Sequence, residues 1–166
     1  MKKALFLTVA AAVATVPVSV NAAEQYAPVA GISAEMREIS MEPVQPENPT
    51  VEEEIELLAR LINAEAGNVK DDDCLYACGS VVLNRVKAKD FPDTIYGVIY
   101  QDKPTIQYAC TVDGNIDKDP TDRSMEIAED LLRNGTTIPE DVIYQAEFRQ
   151  GSGIWKRYKN VVFSRR

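Results

Sequence analysis

The spacing of apolar residues changes once along this chain, near Pro49, and that change limits what can fold. From Ala23 to Pro49 the sequence AEQYAPVAGISAEMREISMEPVQPENP is rich in Pro and Glu. It shows no sustained period, the pattern of a flexible spacer that cannot bury enough surface to offset its own ordering. From Thr50 onward apolar residues recur every three or four positions. About 117 residues remain from there to Arg166, enough for one small domain with its own core.

Within residues 50–166 the punctuation predicts four helices and then strands. Thr50 caps the first, with Glu53 closing a capping box, and Gly67 ends it; Ile55, Leu58, Leu61 and Ile62 form its stripe. Asp71, Asp72 and Asp73 announce the second, CLYACGSVVLNRVK, with Leu75, Cys78, Val82 and Val86 on one face and Gly79 allowing close approach by a neighbour. A short helix at Thr94 to Tyr100 carries Ile95, Val98 and Ile99 inward. DKPTIQYACTVDGNIDKDP reads as a cleft-lining loop. TDRSMEIAEDLLRNG is a helix capped by Thr121 or Ser124 and ended by Gly135, with Met125, Ala128, Leu131 and Leu132 inside. VIYQAEF and NVVF then pair as strands across the turn at Gly151 to Gly153, so the fold class is α+β.

Ahead of the spacer, MKKALFLTVAAAVATVPVSVNA has the basic start, apolar run and small-residue end of a signal peptide over residues 1–22, with cleavage after Ala22. Pro17 and the many small residues make it a poor anchor, so an exported protein with no stable membrane insertion is expected. Cleavage removes Lys2 and Lys3 and no acid, taking the net charge from −8 to about −10, which argues against nucleic acid as a partner.

The sequence contains no histidine. That excludes Ser-His-Asp and Cys-His nucleophiles and the His-ligated zinc sites of peptide hydrolysis. Three cysteines cannot make a four-Cys site, and no metal or cofactor is expected. In an exported chain an odd count suggests one disulfide, from Cys110 to Cys74 or Cys78; Cys78 as a plain buried apolar residue is the other reading. DGNIDKD, from Asp113 to Asp119, spaces its oxygens like a calcium loop, but Lys118 stands where Gly is needed, and a solvated turn is the better reading.

One residue breaks the pattern. Glu65 follows Ile62, Leu61 and Leu58 by three, four and seven positions, so its carboxylate rides on the apolar stripe of the first helix. It could bend out to water at the helix end, pair with a buried base such as Arg85, or be a general acid whose pKa is lifted by an apolar wall and the helix dipole. Glycosidic cleavage needs that last species, a carboxylic acid that still holds its proton.

ARLINAEAGN, GSVVLNRVKAKDFPDTIYGVIYQ and IQYACTVDG, in this order, resemble the SleB/CwlJ-type cell wall hydrolases, over roughly Leu57 to Phe163. The resemblance implies a lysozyme-like fold, mainly helical with a small antiparallel sheet beside the cleft, for a catalytic domain spanning residues 50–166. It implies cleavage of peptidoglycan glycan strands between N-acetylmuramic acid and N-acetylglucosamine, with Glu65 as the catalytic acid. Asn84 and Gln107 fall in its motifs as substrate-binding residues, and Tyr144 is a further candidate for the far wall. A single-acid lytic transglycosylase ranks ahead of a hydrolytic muramidase, for which Asp113, Asp117, Asp119 and Glu147 are the candidate second carboxylates. A secreted wall-binding protein of the same fold is the alternative from another class. The family's closing Gly-Asn-His-aromatic pattern is absent, since KNVVF has Val161 after Asn160. The expected protein is a secreted, wall-associated monomer.

Overall fold

The computed structural model describes residues 47–166, which lie within one compact unit. The expected signal peptide, and the spacer except for its last three residues, lie outside the described residues. Four helices come first, α1 (Val51–Ala66), α2 (Asp72–Lys87), α3 (Ile95–Ile99) and α4 (Asp122–Asn134). Strands β1 (Val142–Ala146), β2 (Gly153–Tyr158) and β3 (Val161–Arg165) follow as an antiparallel sheet in the order β1-β3-β2.

The helix ends follow the local chemistry. Thr50 Oγ1 accepts from Glu53 N at 3.2 Å while Thr50 N donates to Glu53 Oε2 at 2.7 Å, so two orphan donors of α1 are satisfied reciprocally. Asp71, Thr94 and Thr121 cap α2, α3 and α4. Gly135, at φ 91°, takes the chain out of α4 in a conformation that few other residues tolerate. Helix α4 buries Ser124, Ile127, Ala128 and Leu131, and the expected Met125 and Leu132 flank that face half-buried.

Helix α2 is wrapped on more sides than a single stripe suggests. It packs against α1, α3, α4 and β1 and buries ten of its sixteen residues. A helix covered nearly all round is the centre of a core. Gly79 permits the approach, since a Cβ there would lie 2.5 Å from Leu131 Cδ1 and 2.9 Å from Ile62 Cδ1.

The buried face of α2 also carries polar groups that bind the segment leading into β1. Ser80 Oγ accepts from Thr137 N at 3.1 Å. Asn84 Nδ2 donates to Pro139 O at 2.9 Å and Val142 O at 3.0 Å, and Arg85 Nε donates to Ile143 O at 2.8 Å. These three side chains lie within about one and a half turns of one helix, so they fix the entry to β1 and its first two residues. Asn84 was expected at the substrate; at 1 % exposure, with both amide protons given to backbone carbonyls, it is placed in the core instead.

The sheet differs from the expected hairpin by one strand. VIYQA does pair with VVFSR, but GIWKRY is inserted as β2 on the far side of β3. The tight hairpin is therefore β2–β3, turning at Lys159 with φ 47°. Edge-to-face contacts of Phe163 with Trp155 and Tyr158 hold the inserted strand down.

Asn84→Ala should cost about 1–3 kcal/mol, because two backbone carbonyls, one of them fully buried, lose their donor. Urea unfolding followed by circular dichroism checks this; a loss under about 0.5 kcal/mol would show that the amide does not hold β1.

Candidate active site

Glu65 stands in the last turn of α1, two residues before Gly67, and is half-buried. Three parts of the chain converge on its carboxyl. Gln145 Nε2 on β1 donates to Oε2 at 3.3 Å. The Cys110 thiol, in the short 3-10 helix Ala109–Thr111, hydrogen-bonds the same carboxyl. Arg85 of α2 and exposed Asp113 act on it through charge, without forming ion pairs with it among the described residues.

These influences oppose one another, and burial is the largest. Loss of water raises the Glu65 pKa, the Cys110 hydrogen bond lowers it, Asp113 raises it and Arg85 lowers it; the net shift is upward from the ordinary 4.5. Of the three sequence readings, the outward-bent side chain and the buried ion pair do not describe this geometry. The arrangement is a carboxyl that keeps its proton to higher pH than a surface glutamate, as a general acid requires.

The cysteines are all free and buried, which corrects the disulfide expected from Cys110 to Cys74 or Cys78. The Cys110 thiol is turned to Glu65, while Cys74 and Cys78 hydrogen-bond each other along α2. Burial, with Glu65 beside it, pushes Cys110 up to about 12, so it stays a protonated donor. Cys78 is a buried apolar-type residue, the other reading of the sequence.

The remaining expected site residues are placed differently. Gln107 turns back on its own loop, donating from Nε2 to Thr105 O at 3.1 Å rather than reaching toward Glu65. Its neighbour Tyr108 is buried under the site, pushed up to about 12 by lost water, with its ring 5.3 Å from the Arg85 guanidinium. Tyr144 packs toward the turn, where a Cβ on Gly151 would come within 2.8 Å of its ring. Successive strand residues point to opposite faces, so with Tyr144 on the turn side it is Gln145 that faces Glu65. Asp117 lies across α1, its backbone oxygen held by Arg60 Nη1 at 2.9 Å, and Asp119 is 3.8 Å from Arg60; Asp113 is the one of the four proposed second carboxylates whose charge reaches Glu65. No group of three His, Cys, Asp or Glu side chains among the described residues is arranged as a metal site.

A cavity of about 410 Å³ adjoins the site between α3 and the following loop. Glu65 is not in its wall, but Thr111, next in the chain to Cys110, is.

A half-buried glutamic acid closing the first helix of a helical domain is faced by one strand of a small antiparallel sheet, an α+β arrangement of lysozyme-like fold. A family model described as Cell Wall Hydrolase matches residues 70–164, more than half of the chain, and the protein belongs to that family of cell wall hydrolases. The match begins after Glu65, so the role of that residue rests on its geometry. The fold matches the catalytic domain of the germination-specific lytic transglycosylase SleB from Bacillus anthracis at TM-score 0.55 and 20 % identity, over 72 % of this chain and 98 % of that one. It also matches the catalytic domain of the Bacillus cereus SleB protein at TM-score 0.56 and 20 % identity, over 71 % and 93 %. No curated protein matches the chain in sequence.

The raised pKa fixes the sign of a pH effect on stability. Between 4.5 and the folded-state value the native protein binds more protons than the unfolded chain, so stability falls as pH rises through that window. Glu65→Gln removes this dependence. Its stability relative to the parent should improve from pH 4 upward and level off above the folded pKa; a difference that stays constant or runs the other way in urea titrations contradicts the upward shift.

Proposed function

We propose that this cell wall hydrolase is a lytic transglycosylase that cuts peptidoglycan between N-acetylmuramic acid and N-acetylglucosamine, with Glu65 as acid and then base. The observation that carries the reading is the Glu65 carboxyl, withdrawn from water, held by Cys110 and Gln145, and raised in pKa. Protonated Glu65 gives its proton to the glycosidic oxygen as the bond from that oxygen to the muramic C1 breaks. The muramic 6-hydroxyl then closes on C1, forming an anhydro ring, and its proton returns to Glu65. No water is consumed, and one carboxyl serves both steps.

The family supports the wall as substrate, and the germination-specific transglycosylase with the same fold supports the ring-closing outcome. Gln145 orients the acid: its Nε2 donates to Oε2, which favours one rotamer of the Glu65 side chain. Export through residues 1–22 and action as a monomer at the wall belong to the same reading. Among the described residues no helix is long and apolar enough to cross a membrane. Asp113 favours a second outcome, hydrolysis, because it is a carboxylate in electrostatic reach of the acid. Its exposure and its Oδ1, which accepts from Asn115 N at 2.9 Å in its own turn, weigh against a role across the sugar ring.

Purified wall sacculi digested with the enzyme should yield fragments ending in anhydro-muramic acid by mass spectrometry. Glu65→Gln should release them about 10²- to 10⁴-fold more slowly. Reducing muramic ends would instead show hydrolysis, and undiminished release by the variant would remove Glu65 from the chemistry.

A further inference from the structure

We propose that the cavity between α3 and the loop after it seats the peptide stem carried by the muramic acid beside the cut; this rests on the glycan-cleaving reading above. The cavity is lined by Tyr96, Tyr100, Gln101, Lys103, Ile106 and Val112, together with Asp102 and Thr111. Its volume of about 410 Å³ suits a small ligand or a short length of chain. Thr111 places it next to the acid, because the preceding residue is the one whose thiol holds Glu65.

Three features of the wall ask for a ligand, and together they select its chemistry. The first is apolar: Ile106 and Val112 are 48 % and 67 % exposed, and the Tyr96 and Tyr100 rings lie 4.5 Å apart. Large apolar side chains left at the lips of a cavity suit methyl groups and short aliphatic stretches. The second is an unmet acceptor. Gln101 Nε2 donates to Lys103 O at 3.1 Å, which directs its Oε1 the other way, and that oxygen is buried with no hydrogen-bond partner in the protein. A buried acceptor without a partner is costly, and an amide N–H from a ligand would satisfy it. The third is charge: Asp102 and Lys103 stand side by side on the rim, both exposed, and neither makes an ion pair among the described residues.

An N-acetylated sugar could meet the first two but carries nothing for the two rim charges. A wall stem peptide meets all three. It has alanine methyls, backbone N–H groups, free carboxylates to oppose Lys103, and, where a diamino acid is not cross-linked, an amine to oppose Asp102. The stem leaves the glycan from the muramic acid itself, so a seat beside the acid is where it would fall when that sugar is in place.

The test has one part independent of catalysis. A soluble stem tripeptide, L-alanyl-γ-D-glutamyl-diaminopimelate, titrated into the 15N-labelled full chain should shift the amides of Gln101, Lys103, Ile106 and Val112 and leave those of α4 still. In the second part, wild-type enzyme should cleave stem-bearing strands with a kcat/KM about fivefold or more above that for strands stripped of peptide, the difference lying in KM. Lys103→Ala and Ile106→Ser, both at exposed positions, should abolish that preference without slowing cleavage of stripped strands. No amide shifts at millimolar peptide, or variants that slow both substrates alike, would overturn the proposal. Failure of the glycan-cleaving reading would look different: the wild-type enzyme would release no fragments from stripped strands, whose backbone is joined by glycosidic bonds alone.

Discussion

Asn84 and Arg85 anchor β1 to the buried helix α2, and the position of everything that faces Glu65 follows from that attachment. The two side chains hold the carbonyls of Pro139, Val142 and Ile143, so β1 cannot slide along the helix without losing buried hydrogen bonds. Gln145 is two residues beyond the last of these anchors, close enough that its reach to Glu65 is set by the same contacts. Arg85 carries a further load. Its guanidinium lies 5.1 Å from the Phe91 ring and 5.3 Å from the Tyr108 ring, tying β1 and the loop before Cys110 to one cation. The walls on both sides of the acid are therefore referenced to a single helix.

Around the carboxyl the balance is between lost solvation and a small set of compensating groups. A fully buried glutamate with no donors would be locked in its protonated form, and one paired directly with Arg85 would be locked ionised. Half-burial, one weak thiol donor, one amide donor and an arginine that acts only at a distance leave the proton transferable in both directions. The proposed role, acid first and base second, needs that intermediate setting. Cys110 suits it because a thiol kept protonated by its surroundings can donate without bringing a charge of its own.

The helices were legible because their signals are local. Thr50 with Glu53, Asp71, Thr94, Thr121 and Gly135 act on backbone within a few residues, and each does in the structure what its position implies. Glu65 was legible as a break in an otherwise apolar stripe. Its partners were not, since Cys110 is 45 positions away and Gln145 is 80, and no local rule brings them to one carboxyl. Tyr144 illustrates the register problem: naming the right strand but the wrong parity moves a side chain to the opposite face. Asn84 shows that a polar residue inside a motif can serve the fold rather than the substrate. The sign available in the sequence was its place, with Ser80 and Arg85, in a stretch of helix from Ala77 to Val86 that is otherwise small or apolar. GIWKRY alternates too weakly to be read as a strand, because its side chains are mostly exposed and Phe163 on β3 supplies the contact that holds it.

All of this depends on a glutamate that stays protonated where an ordinary one would not. Carbon-detected NMR of the side-chain carboxyl, with Glu65→Gln assigning the resonance, reads that property without substrate or turnover. The account predicts a Glu65 midpoint above 4.5, moved further up when the Cys110 donor is removed by Cys110→Ala. A midpoint at or below 4.5, unmoved by that substitution, would contradict it.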